Sequence, residues 1–403
     1  METDSRFLPT RRLYFEDPLR TEFDARVVER RTVDGRPAVI LDATGFYPES
    51  GGQPWDLGTL DGVAVLQVVE DGERIVHVLA AELPGEAVHG RIDADRRFDH
   101  MQQHSGQHVL SQAFIEILGG ETRSFHLGPD VSTLEIGLAK ADEADLERVE
   151  ARANAVVFED RPIKTYFVPE ERIGEVPLRR PPKVRGLIRV VEADGFDYSA
   201  CGGTHCRRTG EIGLIKITKA ERIRGNLRFE FVCGYRALRD YALKNRTVRR
   251  LVGRFNVGEA DVAAAVERLS EDFKELKKRA RRTEDALGEF EVRELLARIE
   301  GGILRRAFAD KTPEGLRLLA LSAVKRAEAV AIFATTTPAK SHLVLAAPEA
   351  LKIDLRPLVA EIAPLFSGRG GGGPSLVEIA GDAAADLEAV LDKAAAAVRA
   401  RRA

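Results

Sequence analysis

Two short segments, far apart in the chain, place the strongest constraint on how this protein can fold. Gln103-His104-Ser105-Gly106-Gln107-His108 carries two histidines four residues apart, and Cys201-Gly202-Gly203-Thr204-His205 carries a cysteine and a histidine at the same spacing. On a helix, residues i and i+4 project from one face, so His104 and His108 would leave it together. Imidazole nitrogens and one thiolate sulfur are the ligand mixture that zinc prefers at tetrahedral geometry. A fold that uses both pairs must bring the two segments into contact.

The competing interpretation is that the histidines form only a solvated or core-packed helix face. The chain has 8 histidines and 3 cysteines among 403 residues. Both spacings would arise together by chance in roughly one such sequence in a hundred. The spacing therefore favours a metal site, although it does not show that the two halves meet.

Length, composition, net charge and cysteine content limit the class of protein to which this chain can belong. A chain of 403 residues predicts two to four domains, and 44% hydrophobic with 31% charged residues is typical of a soluble globular protein. A net charge of −3 provides no global basic field, so any RNA contact must use local patches. The three cysteines, Cys201, Cys206 and Cys233, form no disulfide framework and favour a reducing compartment. Without a secretory signal or a long apolar run, we expect a cytoplasmic protein that does not enter a membrane.

Residues 1–92 predict a small β-barrel module. Asp34-Gly35, Asp61-Gly62 and Asp71-Gly72 separate short β-branched runs, and Asp-Gly is a strong hairpin signal because the turn needs positive φ. Within this module, residues 45–54 predict a loop because of Pro48 and two adjacent glycines. This loop either makes a structural crossover or faces a substrate cleft, with Gln53 and Glu49 as polar contacts.

Residues 93–240 predict an α+β domain that contains both ligand segments. A helical pattern from about Met101 to Leu118, ended by Gly119-Gly120, places His104 and His108 on a helix. Short strands and a second helix follow, and Cys201 lies in a turn-rich segment after a strand. The basic segment 179–185 predicts a solvated loop, with phosphate contact as the second interpretation.

The last 160 or so residues predict a connector and a further domain. In residues 241–300, Val262, Leu269, Phe273, Leu276 and Leu287 belong to a heptad seam typical of a coiled coil or helical hairpin. Residues 301–403 alternate strand and helix patterns and predict an α/β domain. Its segment Ser367–Pro374, rich in glycine, is either a flexible linker or a loop whose backbone amides and Arg369 hold phosphate.

Four motifs in this order carry a family resemblance. Gly45-Phe-Tyr-Pro-Glu-Ser-Gly-Gly-Gln-Pro54, His104-Ser-Gly-Gln-His108, Cys201-Gly-Gly-Thr-His205 and the terminal Gly-Arg-Gly-Gly-Gly-Gly-Pro run resemble the editing half of alanyl-tRNA synthetase. They resemble even more the free-standing alanyl-tRNA editing proteins, AlaX, whose long form ends in a DHHA1 domain. The resemblance spans nearly the whole chain. One departure is Ser105-Gly106, where the family often has Thr-Ala.

The resemblance implies a function. Because the β-rich module begins within about 25 residues of Met1, we expect no ATP-dependent activation domain and a trans-acting zinc-dependent aminoacyl-tRNA deacylase. Its substrate would be tRNA(Ala) mischarged with serine, with glycine as the second candidate, recognised at the aminoacylated 3′ end and the outer corner. The resemblance carries zinc liganding onto His104, His108, Cys201 and His205. The competing classes are a non-catalytic RNA-binding protein stapled by zinc and a phosphoesterase.

Further residues complete the expectations for the site. Candidates for contact with the amino acid are Gln103, Ser105, Thr122, Thr204 and Gln53, and candidates for RNA contact are Arg369, Gly370, Gly371, Gly372 and Gly373. Four protein ligands close a tetrahedral zinc, whereas a catalytic zinc keeps one position open. Either one ligand, for which His205 is the candidate, yields to water or substrate, or the metal anchors the cleft. The heptad helix either spaces the domains or forms a homodimer, for which the C-terminal domain is the other candidate.

Overall fold

The structure, a computed structural model, describes residues 9–309, 311–337, 340–383 and 386–402. The chain divides into two compact units, Met1–Arg254 and Phe255–Ala403. The predicted class, an α+β chain of more than one domain, is confirmed. The finer division at residues 92, 240 and 300 stays a prediction.

The first part of unit 1 is a six-stranded sheet closed into a barrel, in the order β2-β3-β7-β6-β5-β8. At two of its hairpins both turn residues have positive φ, 49° and 77° at Asp34-Gly35 and 45° and 82° at Asp61-Gly62, as the Asp-Gly sequence requires. The elements are β1 Arg11–Arg12, α1 Leu13–Glu16, β2 Glu22–Val33, β3 Arg36–Leu41, β4 Ala43–Thr44, β5 Gly58–Leu60, β6 Val63–Asp71, β7 Arg74–Leu79 and β8 Ala87–Ile92.

The second part of unit 1 contains three α-helices and two antiparallel sheets. One sheet has the order β14-β15-β10-β9 and the other β11-β12-β13. The elements are α2 Ala94–Leu118, β9 Thr122–Leu127, β10 Ser132–Ile136, α3 Glu143–Phe158, β11 Ile163–Pro169, β12 Leu187–Ala193, β13 Asp197–Ala200, β14 Ile215–Ile223, β15 Asn226–Cys233 and α4 Gly234–Phe255.

Helix α2 holds the first ligand pair at the centre of this unit. Asp93 caps its N-terminus by accepting from the Arg96 backbone N–H, and Gly119 ends it in a left-handed conformation with φ of 65°. Gly106 faces β15, where an added Cβ would lie 2.3 Å from the Cys233 Sγ. The helix cost of this glycine, about 1 kcal/mol relative to alanine, is therefore offset by the close packing of α2 on the sheet.

Unit 2 is a five-stranded sheet, in the order β16-β17-β18-β20-β19, with helices on both faces. Strands β16 and β17 run parallel, joined by α6, and the other neighbours are antiparallel. The elements are α5 Val262–Leu296, β16 Ile303–Phe308, α6 Pro313–Val324, β17 Val330–Thr336, β18 Lys340–Ala346, α7 Arg356–Ile362, β19 Arg369–Gly373, β20 Leu376–Asp382 and α8 Leu387–Arg402.

Two interpretations of this C-terminal part need correction. The heptad seam is one continuous helix of 35 residues, α5, so a hairpin within it is wrong. Leu269, Phe273 and Leu276 are 55%, 64% and 61% exposed, so a coiled coil with a second chain stays a prediction. The glycine-rich segment is not a flexible linker, because Arg369–Gly373 forms the edge strand β19 and pairs with β20.

None of the helices in the described ranges is both long enough and apolar enough to cross a membrane.

Candidate metal centre

The structure brings the four predicted ligands together in unit 1. His104 and His108 leave one face of α2, and Cys201 and His205 come from the loop after β13. Their ligand atoms all lie within 4.8 Å of one another. The His104 Nε2 lies 3.4 Å from the Cys201 Sγ, and the Nε2 atoms of His108 and His205 are 3.4 Å apart. The three histidines are buried and Cys201 is half-buried.

Each of the three imidazole rings is oriented by an acceptor at its other nitrogen. The Nδ1 of His104 donates to the Gln53 Oε1 at 2.8 Å, and that of His108 donates to the Asp197 Oδ2 at 3.0 Å. The Nδ1 of His205 donates to the backbone carbonyl of Gly203 at 3.1 Å. These bonds fix the tautomer that leaves all three Nε2 lone pairs available to a metal, as is usual around histidine ligands.

Gln53 joins the barrel to the cysteine loop. Its Oε1 accepts a hydrogen bond from the His104 Nδ1 and a second one from the backbone N–H of Thr204 at 3.1 Å. Its Nε2 donates to the Thr204 Oγ1 at 2.8 Å. Both side chains are fully buried. The amide of Gln53 therefore orients a ligand and holds the loop, and its predicted contact with the substrate stays a prediction. Glu49, its predicted companion, is exposed.

Asp197 supports the other end of the cluster and was missed by the sequence analysis. Its buried carboxylate accepts from His108 and from the Ser199 Oγ at 2.9 Å, and the Arg179 Nε lies 3.3 Å from its Oδ1. A signal for it was present, because Asp197, Ser199 and Cys201 alternate along an extended segment and so share one face. Arg179 thus belongs to this buried network, whereas Arg180, the next basic residue, is exposed.

The charges around the cluster favour the ligand forms that a metal needs. Burial opposes ionisation of Cys201, but its electrostatic interactions and hydrogen bonds with the adjacent imidazoles hold the pKa of its thiol well below the ordinary value. Burial also opposes the charged form of His108, yet the hydrogen bonds to Asp197 and Cys201 raise its pKa to about 9. Burial lowers the pKa of His205 to about 3. A thiolate in this setting is a ready metal ligand, and metal binding would release the proton of His108.

The donor set fits zinc. Three imidazole nitrogens and one thiolate sulfur, all directed at one point, match the composition of tetrahedral zinc sites. The orienting acceptors on the three rings match the outer shell that such sites require. No carboxylate oxygen belongs to this cluster, as the structure describes it, and this separates it from the oxygen-rich sites that magnesium and calcium prefer.

The other predicted contacts with the amino acid fall into two groups. Gln103 is bound to the backbone of β15 through both N–H and C=O of Cys233, and Ser105 accepts from the Cys206 backbone N–H. These two side chains hold α2 on its neighbours, and their predicted contact with the substrate stays a prediction. Thr122, which donates to the Ser111 Oγ at 2.8 Å, lies on β9 against the face of α2 that carries the histidines.

Two cavities lie outside this cluster. One of about 360 Å³ is lined mainly by Leu214, just before β14, and by Tyr235, Leu238 and Tyr241 at the start of α4. The other, in unit 2, has about 120 Å³ and is lined by His342, Arg369 and Glu378 among others. The predicted RNA contacts Arg369–Gly373 are all exposed on β19.

Comparisons with known proteins show which proteins this chain is related to. Residues 188–229, which include Cys201 and His205, match the family described as the threonyl and alanyl tRNA synthetase second additional domain. The alanyl-tRNA editing protein AlaX-L of Pyrococcus horikoshii is 29% identical over 91% of this chain and 93% of its own length. The chain is a homologue of that editing protein. The resemblance seen in the four motifs is thereby confirmed.

Longer relatives are alanine–tRNA ligases. That of Korarchaeum cryptofilum is 36% identical over 70% of this chain, and the match covers only 33% of the ligase. This chain therefore corresponds to part of such ligases. Among solved structures, the C-Ala domain of Aquifex aeolicus alanyl-tRNA synthetase is similar at 22% identity, over 23% of this chain and 85% of that domain, with a TM-score of 0.22.

Proposed function

We propose that this protein is a trans-editing hydrolase that deacylates tRNA(Ala) mischarged with serine, and with glycine as a second substrate, without aminoacylation activity. The observation that carries the proposal is the buried His104–His108–Cys201–His205 cluster with every imidazole oriented. The homology to an alanyl-tRNA editing protein supplies the substrate class. The cluster lies in the part of the chain that matches the synthetase family domain.

The proposed cofactor is zinc, held by these four residues. Zinc bound there supplies a Lewis acid that polarises a carbonyl or an oxygen nucleophile. Gln53 and Asp197 keep the rings of His104 and His108 in place while the aminoacyl ester is hydrolysed. Because an aminoacyl ester is already activated, positioning and polarisation are enough to accelerate its hydrolysis.

The roles of the individual ligands differ. Cys201 is the half-buried member of the cluster, whereas His104, His108 and His205 are buried, so the RNA terminus approaches from the side of the cysteine loop. His205, whose Nδ1 is held only by a carbonyl of its own loop, would be the ligand to give way to the substrate when zinc is bound. The terminal ribose hydroxyl of the tRNA is proposed to assist the proton transfer.

The C-terminal unit is proposed to hold the outer corner of the same tRNA. Arg369, Gly370, Gly371, Gly372 and Gly373 form an exposed edge strand. An edge strand presents unpaired backbone N–H groups, which, with the guanidinium of Arg369, suit an RNA backbone. The exposed seam of α5 then joins two copies of the chain as a coiled coil.

Hydrolysis of Ser-tRNA(Ala) tests the proposal. The zinc-loaded protein should release serine, and His104→Ala and Cys201→Ala should lose nearly all of this activity. Cys206→Ala is the matched control, because Cys206 is buried in the core outside the cluster and burial raises the pKa of its thiol to about 12. If the wild-type protein leaves the ester intact but binds the tRNA, the alternative of an RNA-binding protein stapled by zinc replaces this proposal.

A further inference from the structure

One buried side chain beside the metal cluster has a polar atom without a partner. Gln107 is 1% exposed, and its Nε2 donates to the Ser111 Oγ at 2.7 Å. Its Oε1 has no hydrogen-bond partner among the described residues. A buried carbonyl left unpaired costs about 1–3 kcal/mol, so its presence needs a reason, such as a water or a ligand group.

The position of Gln107 directs it to the cluster. It lies three residues after His104 and immediately before His108 on α2. At 3.6 residues per turn its side chain leaves the helix about 60° from that of His104. Ser111 is one turn further along the same face. The histidine face of α2 therefore continues past the metal ligands as a polar strip.

This strip is extended by β9. The Thr122 Oγ1 donates to the Ser111 Oγ, so Gln107, Ser111 and Thr122 form one chain of hydrogen bonds. All three are buried. From β9 also comes the ring of Phe125, whose centroid lies 5.5 Å from that of the His104 ring. Three adjacent polar side chains in a core that only filled space would cost folding free energy, because buried polar groups must all find hydrogen-bond partners whereas apolar ones need none.

We propose that Gln107, Ser111 and Thr122 form the subsite that recognises the hydroxyl group of the amino acid to be removed. The proposal rests on the proposed function, because it identifies the part of that site that distinguishes serine from alanine. Gln107 contacts the substrate directly. Ser111 and Thr122 act as positioning residues that hold its amide.

The chemistry of a hydroxyl group suits this subsite. Gln107 can stand in either amide orientation, since the Ser111 hydroxyl both donates and accepts. In one orientation the free atom is a carbonyl oxygen, and in the other it is an N–H donor. A serine hydroxyl satisfies both, whereas the methyl group of alanine leaves the amide unpaired. The subsite thus favours the mischarged ester over the correct one, which is the direction that hydrogen-bond recognition can achieve.

The test compares three esters on one protein. Ser-, Gly- and Ala-tRNA(Ala) are hydrolysed by the zinc-loaded full chain and by Gln107→Met, which keeps the side-chain length and removes the amide. We expect kcat/KM for the serine ester to fall about tenfold, the factor of one lost hydrogen bond, and that for the glycine ester to change little. Thr122→Val should move the ratio in the same direction by a smaller factor.

A binding measurement separates recognition from chemistry. A non-hydrolysable adenosine carrying serine in amide linkage should bind about tenfold more weakly to Gln107→Met, and the alanine analogue should not. Gln102→Met is the matched control, because Gln102 lies on the same helix but is bound to the backbone of Glu211 and Tyr235. Equal serine-to-glycine ratios in Gln107→Met and wild type would overturn the inference while leaving the deacylase proposal intact. If the wild-type protein hydrolyses none of the three esters, the proposed function itself is wrong.

Discussion

Replacing Gln53 by leucine tests whether the barrel loop holds the metal ligands. The substitution removes the acceptor of the His104 Nδ1 and of the Thr204 backbone N–H, at 2.8 and 3.1 Å. Both donors stay buried and become unpaired, which costs about 2–6 kcal/mol of folding free energy at about 1–3 kcal/mol per donor. The Thr204 Oγ1 also loses the Gln53 Nε2 as its donor, which adds to this cost. For zinc, only the freed ring of His104 matters, because Thr204 is unpaired with and without metal. Losing such an outer partner lowers metal affinity about 10- to 100-fold.

Two measurements on the same protein separate these effects. Zinc affinity is obtained by competition with a chelating dye at fixed pH, and stability by thermal unfolding of the metal-free protein. Gln102→Leu is the control, since it loses two backbone partners on the opposite side of α2 and should lower stability without lowering zinc affinity. If Gln53→Leu binds zinc as tightly as wild type while unfolding earlier, Gln53 is a structural crosslink only and its orienting role is refuted.

Three further predictions concern the metal, the barrel and the glycine strand. Removing zinc with a chelator should lower the unfolding temperature of unit 1 in calorimetry, by the equivalent of about 3 kcal/mol at a free zinc concentration of 100 times Kd, and should have no effect in Cys201→Ala. Burial lowers the pKa of His77 to about 4, so between about pH 6.5 and 4 the imidazole is protonated in the unfolded chain but not in the folded one. The free energy of unfolding should therefore fall by about 3 kcal/mol as the pH decreases through that window. Urea unfolding of His77→Gln should not show this loss. Gly372→Ala should destabilise unit 2, because the added Cβ would lie 2.1 Å from the Leu376 carbonyl oxygen. Gly371→Ala has open space around it, so this variant should fold normally and bind tRNA more weakly in a filter-binding assay. Unchanged tRNA binding would contradict the RNA contact.

Local signals explain what the sequence predicted well. The Asp-Gly hairpins and the C-terminal end of α2 at Gly119 depend on residues within a few positions of one another. The start of α2, expected near Met101, lies at Ala94, because the polar residues between them hide the helical pattern. The ligand pairs were visible for the same reason, since each has a helical or loop spacing of its own. The rarity of the two spacings did not show that the pairs meet, and that expectation came from the family resemblance.

The glycine strand shows why composition misled the prediction. Five residues of Arg369–Gly373 offer almost no strand propensity, so a linker was a natural interpretation. In the structure the backbone of β20 supplies the ladder, and Gly370 and Gly372 approach it so closely that a Cβ would lie 2.3 and 2.1 Å from its carbonyl oxygens. Tertiary pairing thus decides the conformation, and the glycines are required by close approach rather than by flexibility.

The orienting residues were missed because hydrophobic periodicity assigns polar side chains to solvent. Every residue of α2 from His100 to Ser111 is buried, although the segment includes Gln102, Gln103 and Gln107, which a periodic pattern would place on a wet face. Burial of so many amides is tolerable only where each finds a partner, and nearly all do, on β15, in the cysteine loop or along the helix itself. A helix that is apolar enough to be buried yet rich in Gln and His therefore indicates a site inside the protein. The amide that remains unpaired in such a helix is the place where a substrate, rather than the fold, completes the hydrogen bonding.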